Sequence, residues 1–222
     1  MSRHALILLV IAVSAIAAPA QNFIYTDFSN LLGLTLGGTS IQSPANTIQL
    51  TQLAASNNGT LYYDTPVAVT GGFDCIFTFQ ITPNSPGNHA DGMTFLIHND
   101  PAGDTFLGVN GGSLGYSGGL TNALVIEIDT YVNGGMGDTS NNEISVHTNG
   151  PGIVTNQEAE SIARITPATL MTDGLPHFMR VEYIPGTLNI YLDNLAVPIL
   201  TTSYDFQTGG TYLAGGPAQG LN

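Results

Sequence analysis

Apolar residues along most of the chain alternate with polar residues or form short runs, and turn residues interrupt these runs at intervals of about ten positions. Helical periodicity is scarce. This pattern is typical of antiparallel sheets, and it predicts an all-β antiparallel sandwich or barrel. The predicted strands are Phe23–Phe28, Thr47–Leu53, Leu61–Tyr63, Pro66–Thr70, Phe73–Ile81, Met93–His98, Leu124–Tyr131, Glu143–His147, His177–Ile184, Leu188–Asp193 and Val197–Thr202.

The clearest hairpin spans His177–Asp193. One face of each strand is apolar, from Met179 to Tyr183 and again from Leu188 to Leu192, and Pro185-Gly186 predicts the turn between them. Asn57–Thr60 contains an Asn-Gly pair and predicts a second hairpin turn. The polar stretch 156–164 holds the one hint of a helical turn, and we expect its acidic residues on a solvated loop. No repeat or linker is visible, so a single domain is expected.

The first twenty residues are expected to be a signal peptide, residues 1–20, which precedes the domain at residues 21–222. Arg3 is followed by an uncharged run from Ala5 to Ala17, and Ala18-Pro19-Ala20 is a small-residue cleavage pattern. The run is shorter than the ~20 apolar residues that a membrane span needs, and no later segment is apolar enough to span. The sequence therefore predicts a secreted protein, extracellular or periplasmic, without membrane insertion.

The charge of the chain limits the classes of partner that it can bind. There is no lysine, charged residues make up 9% of the sequence, and the formal net charge is −13. Such a protein repels phosphate backbones, so nucleic-acid binding is excluded. The same balance leaves carboxylates available for hard cations such as calcium. Histidines at positions 98, 147 and 177 show no ligand spacing and are interpreted as ordinary residues at strand ends.

The most informative segment begins with two carboxylates on one strand. Glu127, Asp129 and Tyr131 would share one face, while Ile126 and Ile128 would point to the other, apolar face. Carboxylates two residues apart on a strand lie roughly 6.5–7 Å apart along the backbone. Their charges repel each other, and a cation or a proton between them would relieve that repulsion.

The loop that follows offers further oxygen ligands. Asn133 and Asp138 lie on it, and Gly134, Gly135 and Gly137 allow it to curl back toward the strand. Calcium takes six to eight oxygens from such carboxylates, amides and carbonyls. The pattern is therefore a plausible calcium chelator, although a polar strand end with exposed carboxylates would show the same residues.

Glu127–Asn133, followed by Asp138, resembles the metal-binding segment of the legume-type (L-type) lectins, in which a transition metal and a calcium ion lie side by side. The resemblance assigns Glu127 to the transition metal alone, and Asp129 and Asp138 to both ions. It assigns the Tyr131 carbonyl and the Asn133 side-chain oxygen to calcium. Glu143 stands where the family usually has a histidine. Because a carboxylate favours harder ions than an imidazole does, the resemblance implies calcium first, and a second, manganese-like metal only with Glu143 as a ligand.

Three further stretches resemble the family in the same order along the chain. His89–Met93 resembles its Ala-Asp-Gly segment, in which the carboxylate of Asp91 would accept hydrogen bonds from sugar hydroxyls after a cis peptide. Gly111–Tyr116 resembles its glycine-rich loop, in which the backbone N–H of Gly112 would meet the sugar. Residues 210–220 resemble its last binding loop. The family normally continues into one more strand, so the domain is expected to lack that strand.

The resemblance implies a secreted, bacterial-like L-type lectin with a concanavalin A-like jelly roll and no enzymatic activity. A glycan or glycoconjugate would be its partner. Calcium would fix Asn133 and the Asp91 peptide, which with Gly112 would bind sugar hydroxyls, while the ring of Tyr131 stacks on the sugar.

Two alternatives remain. One is a structural or adhesion module of the same fold that does not bind sugar. The other is a glycoside hydrolase on a similar jelly roll, which needs two carboxylates flanking the scissile bond. The hydrolase is disfavoured because the residues after Asp129, from Thr130 to Asn133, include no second glutamate, and because the chain has no tryptophan to line a glucan cleft.

Overall fold

A computed structural model describes residues 23–44, 46–83 and 89–206, together with the backbone of the strand at 211–219. Within these residues the chain forms strands and three short 3₁₀ turns, at Gly103–Thr105, Gly111–Ser113 and Glu158–Glu160, with no α-helix. The strands are β1 (Leu34–Gly38), β2 (Ile41–Gln42), β3 (Ile48–Gln49), β4 (Asn58–Tyr63), β5 (Val67–Ala68), β6 (Phe73–Phe79), β7 (Gly92–His98), β8 (Ala123–Asp129), β9 (Glu143–Thr148), β10 (Ser161–Ile165), β11 (His177–Ile184), β12 (Gly186–Leu192), β13 (Leu200–Tyr204) and β14 (Thr211–Gln219).

The described strands form two main antiparallel sheets. The larger sheet runs in the order β1-β4-β14-β7-β8-β9-β10, with β5 pairing beside β14, and the smaller runs β13-β12-β11-β6. Strands β2 and β3 form a separate pair. The predicted all-β antiparallel sandwich is confirmed, and so is the hairpin of β11 and β12, in which Val181 lies opposite Ile190.

The main core lies between the two sheets. Ile126 and Ile128 of β8 pack with Ile144 and Val146 of β9 on one side, against apolar residues of β11 and β12 such as Val181 on the other. The alternation read from the sequence explains this packing, because residues two apart on a strand point to the same face.

A second apolar cluster covers the opposite face of β8, which carries Glu127 and Asp129. Ala123 and Val125 on that face pack against Leu114, Tyr116 and Leu120, which come from the connection between β7 and β8. Every residue of β8 is consequently buried. The polar side chains that follow Val125 on this face, Glu127 and Asp129, are therefore shielded from water. Electrostatic interactions between them and their neighbours are stronger than they would be in solvent.

Two polar stretches form strands where turns or loops were predicted. The turn prediction at Asn57–Thr60 is wrong, because Asn58 and Gly59 belong to β4 and pair with β1 and β14. A side chain at Gly59 would place its Cβ 1.9 Å from the carbonyl oxygen of Leu50, so glycine there permits a close backbone approach rather than a turn. In 156–164 the hint of a helical turn is confirmed by the 3₁₀ turn at Glu158–Glu160, but the solvated-loop prediction is wrong for Glu158, which is buried, and for residues 161–164, which begin β10.

The two ends of the domain differ from the expectations as well. Phe23–Phe28 forms no strand, and instead the ring of Phe23 stacks on Tyr63 with centroids 4.0 Å apart. The binding-loop resemblance at 210–220 is wrong for residues 211–219, which form β14 between β4 and β7. The predicted signal peptide, residues 1–20, lies outside the described residues. In the part of the chain that is described, no helix has the length and apolar character needed to cross a membrane.

Candidate functional site

Hydrogen-bonded strand pairing gathers most of the predicted site residues at one end of the larger sheet. Gly92 at the start of β7 lies opposite Asp129 at the end of β8, and Asp129 also lies opposite Glu143 at the start of β9. Asp91 immediately precedes β7. Residues far apart in sequence therefore meet because three consecutive strands of the sheet begin or end at the same edge.

Asp91 lies in the protein interior at this end of the larger sheet. The Ala90–Asp91 peptide is cis, which confirms the conformation that the family resemblance implied. The backbone carbonyl of Asp91 accepts a hydrogen bond from the N–H of Thr130 (2.9 Å), and the hydroxyl of Thr130 donates to the carbonyl of His89. The side chain of Asp91 has no exposed surface.

Asn133 and Gly112 lie against each other beside Asp91. The amide nitrogen of Asn133 is 3.3 Å from Oδ1 of Asp91 and donates to it. A Cβ at Gly112 would lie 2.6 Å from Nδ2 and 2.7 Å from Cγ of Asn133, so only glycine fits there without displacing the amide. Asn156 donates a hydrogen bond to the Gly112 carbonyl (2.5 Å). Three of the four predicted sugar-binding residues are thus in contact or directly adjacent.

Tyr131, the fourth predicted sugar-binding residue, is the most accessible of the set, with 45% of its surface exposed. Its backbone N–H donates to Oδ1 of Asp129 (2.8 Å). Two positions later, the N–H of Asn133 donates to Oδ2 of Asp138 (2.6 Å). The two carboxylates therefore already hold the loop that follows β8 through backbone hydrogen bonds.

Crowding of carboxylates raises the proton affinity of this loop. Burial, followed by the charges of Asp138 and Glu127, raises the pKa of Asp129 to about 9, even though the Tyr131 N–H acts in the opposite direction. Burial, with the charges of Glu127 and Glu158, also raises the pKa of Asp138, against the lowering effect of the Asn133 N–H. A cation between the two side chains would favour their charged forms and reverse both shifts.

Glu143 has partners on the loop and on β10. Its Oε2 accepts a hydrogen bond from Thr139 (3.1 Å), and its Oε1 has no hydrogen-bond partner and lies 3.9 Å from Nη1 of Arg164. Burial raises the pKa of Glu143, and the charge of Glu158 adds to this effect. The side chain therefore connects Thr139 of the loop with Arg164 of β10.

Glu127 also has partners that the sequence did not predict. Its Oε1 accepts from the hydroxyl of Tyr116 (2.6 Å) and its Oε2 from Ser145 (2.7 Å). Among the described residues, only Glu127, His147 and Glu158 form a group of three or more potential metal ligands whose ligand atoms all lie within 4.8 Å of one another. Asp129, Asp138 and Glu143 are outside this group.

His147 and Glu158 are the residues that sequence reasoning missed. His147 was interpreted as an ordinary strand-end residue and Glu158 as a solvated one, but both are buried. Burial alone lowers the pKa of His147, but hydrogen bonds to Glu127 and Glu158 outweigh it and raise the pKa to about 10. The alternation of Glu143, Ser145 and His147 on β9 could have revealed that His147 faces the same side as Glu127. No comparable signal exists for Glu158.

Comparison with known proteins places this geometry in a family. The legume lectin domain model matches residues 20–207. The L-type lectin-domain containing receptor kinase SIT1 of Oryza sativa subsp. japonica is 25% identical over 154 residues, which are 61% of this chain and 22% of the rice protein. The chain thus spans about a fifth of the length of that curated relative. This plant protein gives no support to the bacterial-like character expected from the sequence.

Solved structures show the same fold. The exoplasmic/lumenal domain of VIP36, in a Ca²⁺/Man3GlcNAc-bound form, superposes with a TM-score of 0.70 at 18% identity, covering 87% of this chain and 80% of that one. The lectin of Bauhinia forficata in complex with GalNAc gives 0.69 at 20% identity, covering 89% and 90%. The basic winged bean lectin with Tn-antigen gives 0.70 at 20% identity, covering 87% and 85%. The jelly-roll fold and the matched segment together show that the chain belongs to the legume lectin domain family, whose members bind carbohydrates and are not enzymes, as predicted.

Proposed function

We propose that this chain is a secreted, calcium-dependent lectin domain that binds a glycan or glycoconjugate at the end of the larger sheet. The observation that carries the proposal is the meeting of Asp91, Gly112 and Asn133, which come from three separate segments, with Asn133 on the loop held by Asp129 and Asp138. Proteins of the same fold include a Ca²⁺/Man3GlcNAc-bound form and a GalNAc complex, which supports both the ion and the class of ligand. Secretion rests on the sequence of residues 1–20.

The donor set of the loop fits calcium. It consists of the carboxylates of Asp129 and Asp138, the carbonyl of Tyr131 and the side-chain oxygen of Asn133, all of them oxygens, which calcium prefers. Bound calcium would supply positive charge between the buried carboxylate of Asp129 and the half-buried carboxylate of Asp138. Asp129 and Asp138 would hold it, and the loop would then keep Asn133 fixed beside Asp91.

A second, manganese-like ion at Glu127, Asp129, Asp138 and Glu143 is not part of this proposal, because the residues do not fit it. Among the described residues, Glu127 groups with His147 and Glu158 rather than with Asp129, Asp138 or Glu143, and Glu143 is directed toward Thr139 and Arg164.

The sugar would be bound by complementary polar groups. Asn133 and the Gly112 N–H offer donors, Asp91 offers an acceptor, and the exposed ring of Tyr131 offers an apolar surface on which a sugar ring can stack. Because Asp91 has no exposed surface, a sugar hydroxyl reaches it only when the groups above it separate. We therefore expect Gly112, Tyr131 and Asn133 to make the first contacts.

The test is a glycan array with the purified chain in calcium and again in EDTA. Signal on a coherent set of sugars in calcium, lost in EDTA and restored by added calcium, is the expected result. Circular dichroism in both buffers checks that the protein stays folded. Absence of signal from folded protein in calcium would favour the structural or adhesion module, a reading that the complete burial of Asp91 also favours.

Replacing Gly112 by alanine is expected to weaken sugar binding by about tenfold, because the added Cβ would displace the Asn133 amide from its position beside Asp91. Gly134→Ala is the matched control, since a Cβ at that position meets nothing within 4 Å. Titration of each variant with a sugar identified on the array measures the effect. Equal affinities for the two variants would contradict the placement of Gly112 in the site.

A further inference from the structure

We propose that Glu127, His147 and Glu158, here called the Glu-His-Glu cluster, bind a divalent transition metal such as zinc. This site differs from the calcium loop and does not depend on sugar binding. Two of its ligands, His147 and Glu158, were not predicted as metal ligands. The third, Glu127, was predicted to bind a metal together with other residues.

Three elements bring the cluster together. Strands β8 and β9 are adjacent, with Glu127 opposite Ser145 and His147 two residues further along the same face. Glu158 comes from the 3₁₀ turn before β10, which pairs with the other edge of β9. Glu127, His147 and Glu158 are all buried, with 1%, 0% and 6% of the residue surface exposed, respectively.

The two carboxylates converge on a single nitrogen. Nε2 of His147 lies 3.2 Å from Oε2 of Glu127 and 3.3 Å from Oε1 of Glu158, and the hydroxyl of Ser145 is 3.0 Å away. Nε2 carries at most one hydrogen, which cannot serve three acceptors at once. Charge-assisted N–H···O bonds are usually about 2.7–2.9 Å long, shorter than both carboxylate distances.

These spacings suit an ion held between the three groups. Zinc lies about 2.0–2.2 Å from imidazole nitrogen and carboxylate oxygen, and in tetrahedral geometry two such ligands are about 3.4 Å apart. The observed distances of 3.2 and 3.3 Å from Nε2 to the two carboxylate oxygens are close to that separation. A metal on Nε2 of His147 would leave the ring proton on Nδ1, which has no hydrogen-bond partner in this structure.

Neighbouring groups orient both carboxylates so that each presents one oxygen to the histidine. The Tyr116 hydroxyl donates to the other oxygen of Glu127 at 2.6 Å, and Nη1 of Arg164 lies 3.5 Å from the other oxygen of Glu158. Ser145 donates to the oxygen of Glu127 that faces the ring. Such outer contacts are typical of metal sites, where they fix the orientation of the ligands.

The ligand types select the metal, and one of the ligands borders a surface depression. Calcium prefers six to eight oxygens, whereas an imidazole with two carboxylates and one open position is a zinc-type set. Glu158 and Arg164 line a surface depression of about 370 Å³, together with Gly134–Gly137, Gln157 and Ala159. Glu158 is therefore the member of the cluster that borders this depression.

The experiment measures Zn²⁺ binding to the full purified chain after chelation, by calorimetry and by elemental analysis, with calcium present in excess. We expect one zinc per chain that calcium does not displace. His147→Gln should weaken zinc binding at least about 100-fold, because it removes a ligand. His177→Gln is the matched control, since His177 is also buried between two carboxylates, Asp173 and Asp193, but contacts them through different ring nitrogens.

A second variant keeps the test decisive if His147→Gln fails to fold. Tyr116→Phe removes only the hydroxyl that orients Glu127, and it should weaken zinc binding by about tenfold. Failure of the wild-type chain to bind zinc, or equal zinc affinity in His147→Gln and His177→Gln, would overturn the proposal. Zinc binding is measured without sugar, so a silent glycan array leaves this result intact, and a calcium-dependent array signal without zinc binding overturns only the zinc site.

Discussion

Replacing Asp91 by asparagine is expected to weaken sugar binding at least about 100-fold while leaving the fold intact. The carboxylate would accept hydrogen bonds from two sugar hydroxyls, and a hydrogen bond to a charged group contributes about 1.5–3 kcal/mol. Asparagine keeps the shape of the side chain and retains one oxygen that can accept from Asn133, as Oδ1 does now. The variant therefore removes the acceptor for sugar without removing the contact that positions Asn133.

Calorimetry with an array-identified sugar measures this loss, and the thermal midpoint in calcium reports on the fold. Asp91→Ala provides a comparison, because it removes both the acceptor and the contact with Asn133 and should bind no sugar. If Asp91→Asn retained wild-type affinity and Asp91→Ala lost it, Asp91 would act only by holding Asn133. Wild-type affinity in both variants would remove Asp91 from the site.

Replacing Asp129 by asparagine should weaken calcium binding at least about 100-fold, because the loop has only two carboxylates, Asp129 and Asp138, to neutralise the ion. The effect on stability should depend on the buffer. In EDTA the variant should be as stable as the wild type or more stable, since a buried carboxylate whose pKa is raised to about 9 is replaced by a neutral amide. In calcium the wild type should be the more stable protein.

Calcium titration and thermal unfolding in both buffers measure these two effects. Asp64→Asn is the matched control, because it removes the same charge from an exposed position after β4. It should leave calcium affinity and the calcium-dependent gain in stability unchanged. Wild-type calcium affinity in Asp129→Asn would show that the ion is bound elsewhere or not at all.

The sequence predicted strands well where burial on one face imposes strict alternation. The strand at His177–Ile184 was predicted with the bounds that it has in the structure, and its partner differs by two residues at the start and one at the end. Strands without that signal were missed or shortened. Leu34–Gly38 is short and ends in two glycines, and Ser161–Ile165 follows charged residues. Neither segment has apolar residues at every second position over its full length. Pairing with neighbours in the sheet overrides local preference in both.

The site was predictable to the extent that its residues lie on consecutive strands or on the loop beside them. The contact of Asn133 with Asp91 follows the order of matched segments along the chain. The surroundings of Glu127 were not predictable, because they depend on a second apolar layer formed by Tyr116 and its neighbours. That layer buries the polar face of β8, and neither the periodicity nor the composition of the sequence predicts such a layer.

The central position of β14 has a consequence for how the chain is made. Residues 211–219 pair with β4 on one side and β7 on the other, so β1 and β4 join the rest of the larger sheet only through them. While these residues are still inside the ribosome, two strands of the emerging domain carry unpaired backbone edges. Such edges invite pairing with other chains, and closure by contacts so distant in sequence is slow. We therefore expect this domain to complete its fold only once residues 211–219 have emerged from the ribosome, and to benefit before then from chaperones that shield its edges.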